Sequence, residues 1–159
     1  MKCHHSAPVG GARSSIVGRH YLVFDCRARG RYKMERARIS KLLQQLHRQP
    51  LNRFPAPRER LNAPDRQGVY VIRDPRRSVL HVGRTHRGKK GLRQRLSDHL
   101  HANSSFVIEH LEGNGKKLRG GYTFELLEVA SSRDRLLLEY AATVWHCPEH
   151  LGDGARASK

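Results

Sequence analysis

The stretch 68–100, GVYVIRDPRRSVLHVGRTHRGKKGLRQRLSDHL, constrains the fold more than any other part of the chain. Val69, Tyr70, Val71 and Ile72 form one β-prone run within 68–73, and 79–83 is a second. Between them Asp74-Pro75 marks a turn, because Pro presets φ and Asp can bond its own backbone. The two runs therefore read as a hairpin. A basic loop, 84–90, follows, with Gly88 and Gly91 as hinges. A helix then opens near Leu92. Leu92, Leu96 and Leu100 make its apolar stripe, while Arg95 and His99 lie four apart on the edge.

Further elements follow from periodicity and breakers. Ser104 starts a short helix over 104–111. Residues 122–129 alternate, with Tyr122, Phe124 and Leu126 on one face and Leu127 and Val129 on the other, so they form a strand. Ser131 or Ser132 caps a helix over 133–146, with Asp134 in its first turn and Pro148 beyond its end. Its apolar stripe is Leu136, Leu137, Tyr140, Ala141 and Val144. Upstream, Ile39, Leu42, Leu43 and Leu46 fall at helical spacing within 34–48. Residues 20–26 hold a short apolar run that suits a strand. Four prolines in 50–66 exclude a helix or a central strand and mark a linker.

The expected fold class is α/β of the α+β kind: a small three-stranded mixed or antiparallel sheet flanked by helices. The expected division is a basic extension over 1–66, a compact domain over 67–152 and a tail over 153–159.

Charge limits the function. The chain has 31 Lys and Arg against 14 Asp and Glu, for a net +17. Such an excess suits a polyanion, since each neutralised phosphate releases a counterion. Residues before Gln67 hold 15 basic and 4 acidic residues, so the extension either adds a nucleic-acid contact or is a solvated cover. Between the second strand and the helix, Arg84, Arg87, Lys89, Lys90, Arg93 and Arg95 are basic with no acid among them. They are the expected contacts to backbone phosphates. Cys3, Cys26 and Cys147 are odd in number and widely spaced, which fits reduced thiols in a cytoplasmic chain. No run approaches the roughly 18 apolar residues of a membrane span. His146, Cys147 and His150 do not have the spacing of a structural zinc site, and His4-His5 reads as part of a solvated tail.

The central stretch resembles the GIY-YIG nucleases. Gly68-Val69-Tyr70, then ten residues, then His81-Val82-Gly83, is similar to the paired tripeptides of that family. Arg95 and His99 match the R-x-x-x-H of its first helix, and Glu139 matches the Glu of a later one. The similarity runs from about Gly68 to Gly152. The second tripeptide departs from the family, which has Tyr where this chain has His81. The Asn that the family often carries after the Pro has no counterpart here, because Glu149-His150 follow Pro148.

The resemblance implies a metal-dependent endonuclease acting on DNA, with RNA as the other polyanion. Tyr70 is then the residue that orients or deprotonates water; a phenol of pKa about 10 needs a nearby cation for that. Arg95 holds the scissile phosphate in its planar fork. His99 binds phosphate, protonates the leaving oxygen or assists Tyr70. His81 shares or takes over water activation, kept neutral by the surrounding cations. Glu139 is the ligand for Mg²⁺ or Mn²⁺, with Glu125 and Glu128 as substitutes. Each position also has a plainer role: Tyr70 packed in the sheet, Arg95 on a wet helix face, Glu139 paired with Arg135 one turn before it. Three readings follow: a nuclease, a non-catalytic nucleic-acid-binding protein on the same fold, or a basic structural or ribosome-associated protein.

Overall fold

The computed structural model describes residues 26–86 and 91–151. The apolar run 20–25, both tails and the loop positions Arg87, Gly88, Lys89 and Lys90 lie outside the described residues. The elements are α1 (Cys26–His47), β1 (Asn52–Arg53), β2 (Gly68–Arg73), β3 (Val79–Arg84), α2 (Gly91–Leu100), α3 (Ser105–His110), a 3₁₀ turn (Gly115–Arg119), β4 (Thr123–Glu128) and α4 (Ser132–His146). The architecture is α+β.

The sheet has four strands rather than the three expected, in the order β1-β4-β2-β3, all antiparallel. The addition is β1, two residues paired with Phe124 and Thr123 between Pro50 and Pro55. Proline excludes a central strand but permits a short edge, and β1 sits at the edge. Cys26 begins a helix rather than ending a strand, and α1 starts eight residues before the periodic region. Tyr32, Lys33 and Met34 of that first part are exposed, so no apolar face announced it in the sequence.

Both faces of the sheet are covered, which explains the unbroken apolar run of β2. On one face Val69, Val71, Val82 and Val129 meet Leu46 of α1 and Leu138 and Ala142 of α4. On the other, Tyr70, Ile72 and Phe124 meet Leu92, Leu96 and Leu100 of α2 and Phe106 and Val107 of α3. Phe54, Leu61 and Ala63, from the proline-rich segment, are buried in this second cluster. The alternation read in β4 holds: Phe124 faces α2, while Leu127 and Val129 face α4.

Helix α4 turns a different side inward from the stripe expected. Its buried residues are Asp134, Arg135, Leu138 and Ala142, while Tyr140 and Val144 are exposed. Apolar residues occur around most of this helix, so periodicity did not select a face. Helices α1 and α4 run side by side in the same direction. Arg133 binds Glu35 at 2.6 Å, Arg38 binds Asp134 at 2.7 Å, and His47 meets His146 at 3.1 Å. Among the described residues, no helix is long and apolar enough to cross a membrane.

Candidate active site

Pairing of β2 with β3 sets Tyr70 opposite Gly83 and Ile72 opposite His81, so Tyr70, His81 and Gly83 share one face. Glycine is required at 83 by close approach. A Cβ there would collide with the Tyr70 hydroxyl and lie 2.9 Å from Nε2 of His81.

Helix α2 crosses this face. Its start is fixed rather than hinged. Gly91 has φ +43°, and a Cβ on it would strike the Arg66 backbone. The first amides of the helix donate inward, Leu92 to the Arg66 carbonyl at 2.8 Å and Arg93 to the Pro64 carbonyl at 3.0 Å. The side chain of Arg93 is occupied as well, with Nε donating to the Ala63 carbonyl at 2.7 Å and Nη1 3.0 Å from Asp65.

One and two turns further on, the helix delivers Arg95 and His99. His99 is fully buried; Nε2 lies 2.7 Å from the Tyr70 hydroxyl and Nδ1 lies 2.7 Å from Oγ of Ser104. Ser104 also caps α3 by accepting from the Val107 amide. On the other side of Tyr70, Nε2 of His81 is 3.5 Å from the hydroxyl. The His81 ring stacks on Phe106 at 5.0 Å, and its Nδ1 lies 3.1 Å from Nδ1 of His150.

Burial governs the protonation of this cluster. It pushes the Tyr70 hydroxyl up to about 12, against the pull of Arg95. The cation that a phenol base needs is therefore present in Arg95 but loses to desolvation. Burial first, then the neighbouring His150, takes His81 down to about 3. Burial, with His81 next, also holds His99 well below the usual histidine range. At neutral pH the cluster is a neutral phenol among neutral imidazoles.

Arg95 supplies the positive charge. Its influence reaches Tyr70, His81, His86, His99 and Glu139. Its Nε is buried without a hydrogen-bond partner, while its guanidinium also reaches the Tyr70 hydroxyl. A buried N–H without a partner is costly unless a ligand completes it, even on a side chain that is otherwise partly exposed.

Glu139 and Arg84 border the cluster from the α4 side. Arg84 donates from Nε to Oε2 of Glu139 at 2.6 Å, with both side chains half-buried, and its guanidinium also meets His86 at 3.2 Å. Burial pushes the Glu139 carboxyl up, opposed by Arg84. Arg84, His86, Ser132, Arg133 and Leu136 line an open groove of about 540 Å³ beside this pair. Arg135, the sequence-based partner for Glu139, instead donates to the main-chain carbonyls of Thr85, Val129, Ala130 and His86. Glu125 is remote in role: it pairs with Arg73 at 2.7 Å. Glu128 is 3.7 Å from Arg66.

Tyr70, His81, Arg95 and His99 thus gather at one place, with Glu139 at its border. Sequence reasoning missed Ser104, Glu109 and the role of His150. In the sequence His150 stands out only beside His146 and Cys147 and after Pro148, and nothing local links it to His81, 69 positions away. Among the described residues, no three His, Cys, Asp or Glu side chains gather as a metal site. No family model matches the chain, and no curated protein matches it either.

Proposed function

We propose that the chain is a GIY-YIG-type endonuclease that hydrolyses phosphodiester bonds in DNA with a divalent metal. The observation that carries this reading is Arg95: a buried, unpaired guanidinium nitrogen beside a neutral Tyr–His–His cluster, in a protein of net charge +17. A phosphate would satisfy Arg95 and accept its planar fork. Tyr70, held as a phenol, serves as a donor that orients water or phosphate rather than as a base. His81, unprotonated at neutral pH, offers a nitrogen lone pair to the attacking water. His99 fixes the Tyr70 hydroxyl and is fixed in turn by Ser104.

Glu139 is the residue that would hold Mg²⁺ or Mn²⁺. One carboxylate is enough when waters and substrate phosphates complete the shell, which is how Mg²⁺ is commonly bound. The Arg84 side chain takes Oε2 of Glu139 and its main chain also reaches the carboxylate, so an ion would share Glu139 with Arg84. When bound, the ion would neutralise charge on the phosphoryl oxygens and lower the pKa of a coordinated water.

A second reading is a nucleic-acid-binding protein on this fold without catalysis. The tight Tyr70–His99 bond and the Arg84–Glu139 pair favour it, since both satisfy groups that a nuclease needs available. Incubating the full chain with supercoiled DNA and Mg²⁺ or Mn²⁺ separates the two. Nicking lost in Glu139→Ala supports the enzyme. Binding without nicking in either metal supports the second reading.

A further inference from the structure

A line of polar contacts leads from the buried cluster to solvent. From the Tyr70 hydroxyl it passes to Nε2 of His81 at 3.5 Å. It continues from Nδ1 of His81 to Nδ1 of His150 at 3.1 Å, and from Nε2 of His150 to Oε2 of Glu109 at 3.2 Å. His81 and His150 are buried, whereas the Glu109 side chain is 60% exposed. The two strand-like segments are locked together as well, since the His150 amide donates to the Leu80 carbonyl at 2.9 Å. Phe106 packs against both rings, at 5.0 Å from His81 and 5.5 Å from His150. The line therefore has an apolar wall and reaches solvent at Glu109.

The outer end fixes the hydrogens along it. An ionised carboxylate only accepts, so Nε2 of His150 must be the N–H that Glu109 receives. With a single N–H on the ring, the His150 lone pair is then on Nδ1. That lone pair accepts from Nδ1–H of His81, which leaves the His81 lone pair on Nε2, facing the Tyr70 hydroxyl. This is the logic by which a carboxylate sets the tautomer of a catalytic histidine, here extended through two rings.

Taking the nuclease reading as its basis, we propose that His150 and Glu109 are positioning residues that fix Nε2 of His81 as the proton acceptor and pass the accepted proton to solvent. The step balances as a shift of one proton. Nε2 of His81 takes a proton from the attacking water. Nδ1–H of His81 passes its proton to Nδ1 of His150. Nε2–H of His150 passes its proton to Glu109, which releases it to bulk water. Both imidazoles exchange tautomers and neither stays charged. The chain resets in the other direction: Glu109 relays a proton from bulk water to Nε2 of His150, Nδ1–H of His150 passes its proton to Nδ1 of His81, and Nε2–H of His81 gives its proton to the leaving oxygen. Such a device answers a difficulty of the site: burial leaves His81 with a pKa of about 3, so it cannot retain a proton at neutral pH and has to hand it on.

The test combines ring-nitrogen NMR on the full chain with plasmid nicking in Mg²⁺. In the wild type, His81 is expected as the Nδ1–H tautomer and His150 as Nε2–H. Glu109→Ala, at an exposed position, should remove that bias without loss of fold. His150→Phe keeps an aromatic ring against Phe106 but breaks the line. It should lower kcat by roughly 100-fold, the lower range for general acid–base catalysis, while leaving DNA affinity within about twofold. The proton inventory in mixed H₂O and D₂O should change from curved to linear in the same variant, which a packing role would not produce. Nicking by His150→Phe at the wild-type rate would overturn the relay, and so would a wild-type spectrum with His81 protonated on Nε2. A wild type that does not nick DNA refutes the nuclease reading; the ring-nitrogen spectrum then decides the tautomer assignment independently.

Discussion

The Tyr70 hydroxyl sits 2.7 Å from Nε2 of His99, and both side chains are fully buried. Their partnership joins the central strand to the helix that carries Arg95. Tyr70→Phe removes the hydroxyl and leaves a buried imidazole nitrogen unpaired. The expected stability loss is about 1–3 kcal/mol, measurable by urea unfolding. Under the nuclease reading, nicking should fall by at least about 100-fold while DNA affinity is kept. Unchanged nicking in Tyr70→Phe would remove Tyr70 from the chemistry.

Arg95 and Glu139 should separate catalysis from binding. Each contributes one charge among many to affinity but acts where the transition state gains charge. Arg95→Ala and Glu139→Ala should each abolish nicking, with Kd within about threefold of wild type by fluorescence anisotropy. The Arg84 contact adds a sign. Losing Glu139 releases the Arg84 guanidinium for phosphate, so Glu139→Ala should bind DNA slightly more tightly than wild type. Wild-type nicking by Glu139→Ala would remove the metal assignment from this residue.

Salt should weaken DNA binding steeply. With about five phosphates neutralised, the slope of log affinity against log salt should be about −4 to −5. Arg93 is engaged by Ala63 and Asp65 and Arg84 by Glu139, so Arg93→Gln or Arg84→Gln alone should alter that slope little. A wild-type slope near zero would reject nucleic acid as the partner.

The hairpin, the α2 stripe, the β4 alternation and the Ser131 cap of α4 were legible because each is local. Arg95, His99 and Tyr70 were legible through motif spacing. The buried side of α4 was not, because apolar residues lie on several of its sides. Nor was the partner of Glu139: helical spacing offered Arg135, but that guanidinium is turned inward to four carbonyls and Arg84 arrives from a neighbouring strand. The sign of the Tyr70 shift also depended on burial, which outweighs the net charge that the sequence displays.

Acid should destabilise the fold. Burial lowers His81 to about 3 and His146 to about 4, and holds His99 well down. An unfolded histidine has a pKa of about 6.5 and binds its proton first as pH falls. The unfolded chain therefore takes up more protons across the window from about 6.5 down to these folded values, and stability is lost there. Tm should be nearly flat from pH 7 to 8 and fall progressively from pH 6.5 to 4. His146→Asn should flatten part of that fall. A Tm that rises on acidification would contradict neutral burial of these rings.

Helix α1 tests where the folding unit begins. From sequence, residues 1–49 are separable from a domain over 67–152. In the structure, Leu46 is fully buried against Val69, Val71 and Leu138, with Leu42 and Leu43 packed beside it. The same helix carries Glu35 and Arg38, which hold Arg133 and Asp134 at the start of α4. Leu46→Ala should cost about 2–5 kcal/mol, as for other buried leucines. Two surface ion pairs add little by comparison. Removing residues 1–49 deletes Leu46 and uncovers the parts of α4 and β4 that α1 packs on, so the truncated chain should unfold at a lower urea concentration than Leu46→Ala does. An equal midpoint for the truncated and full chains would show that the sheet and α4 fold without α1, and that the helix is only an appended basic arm.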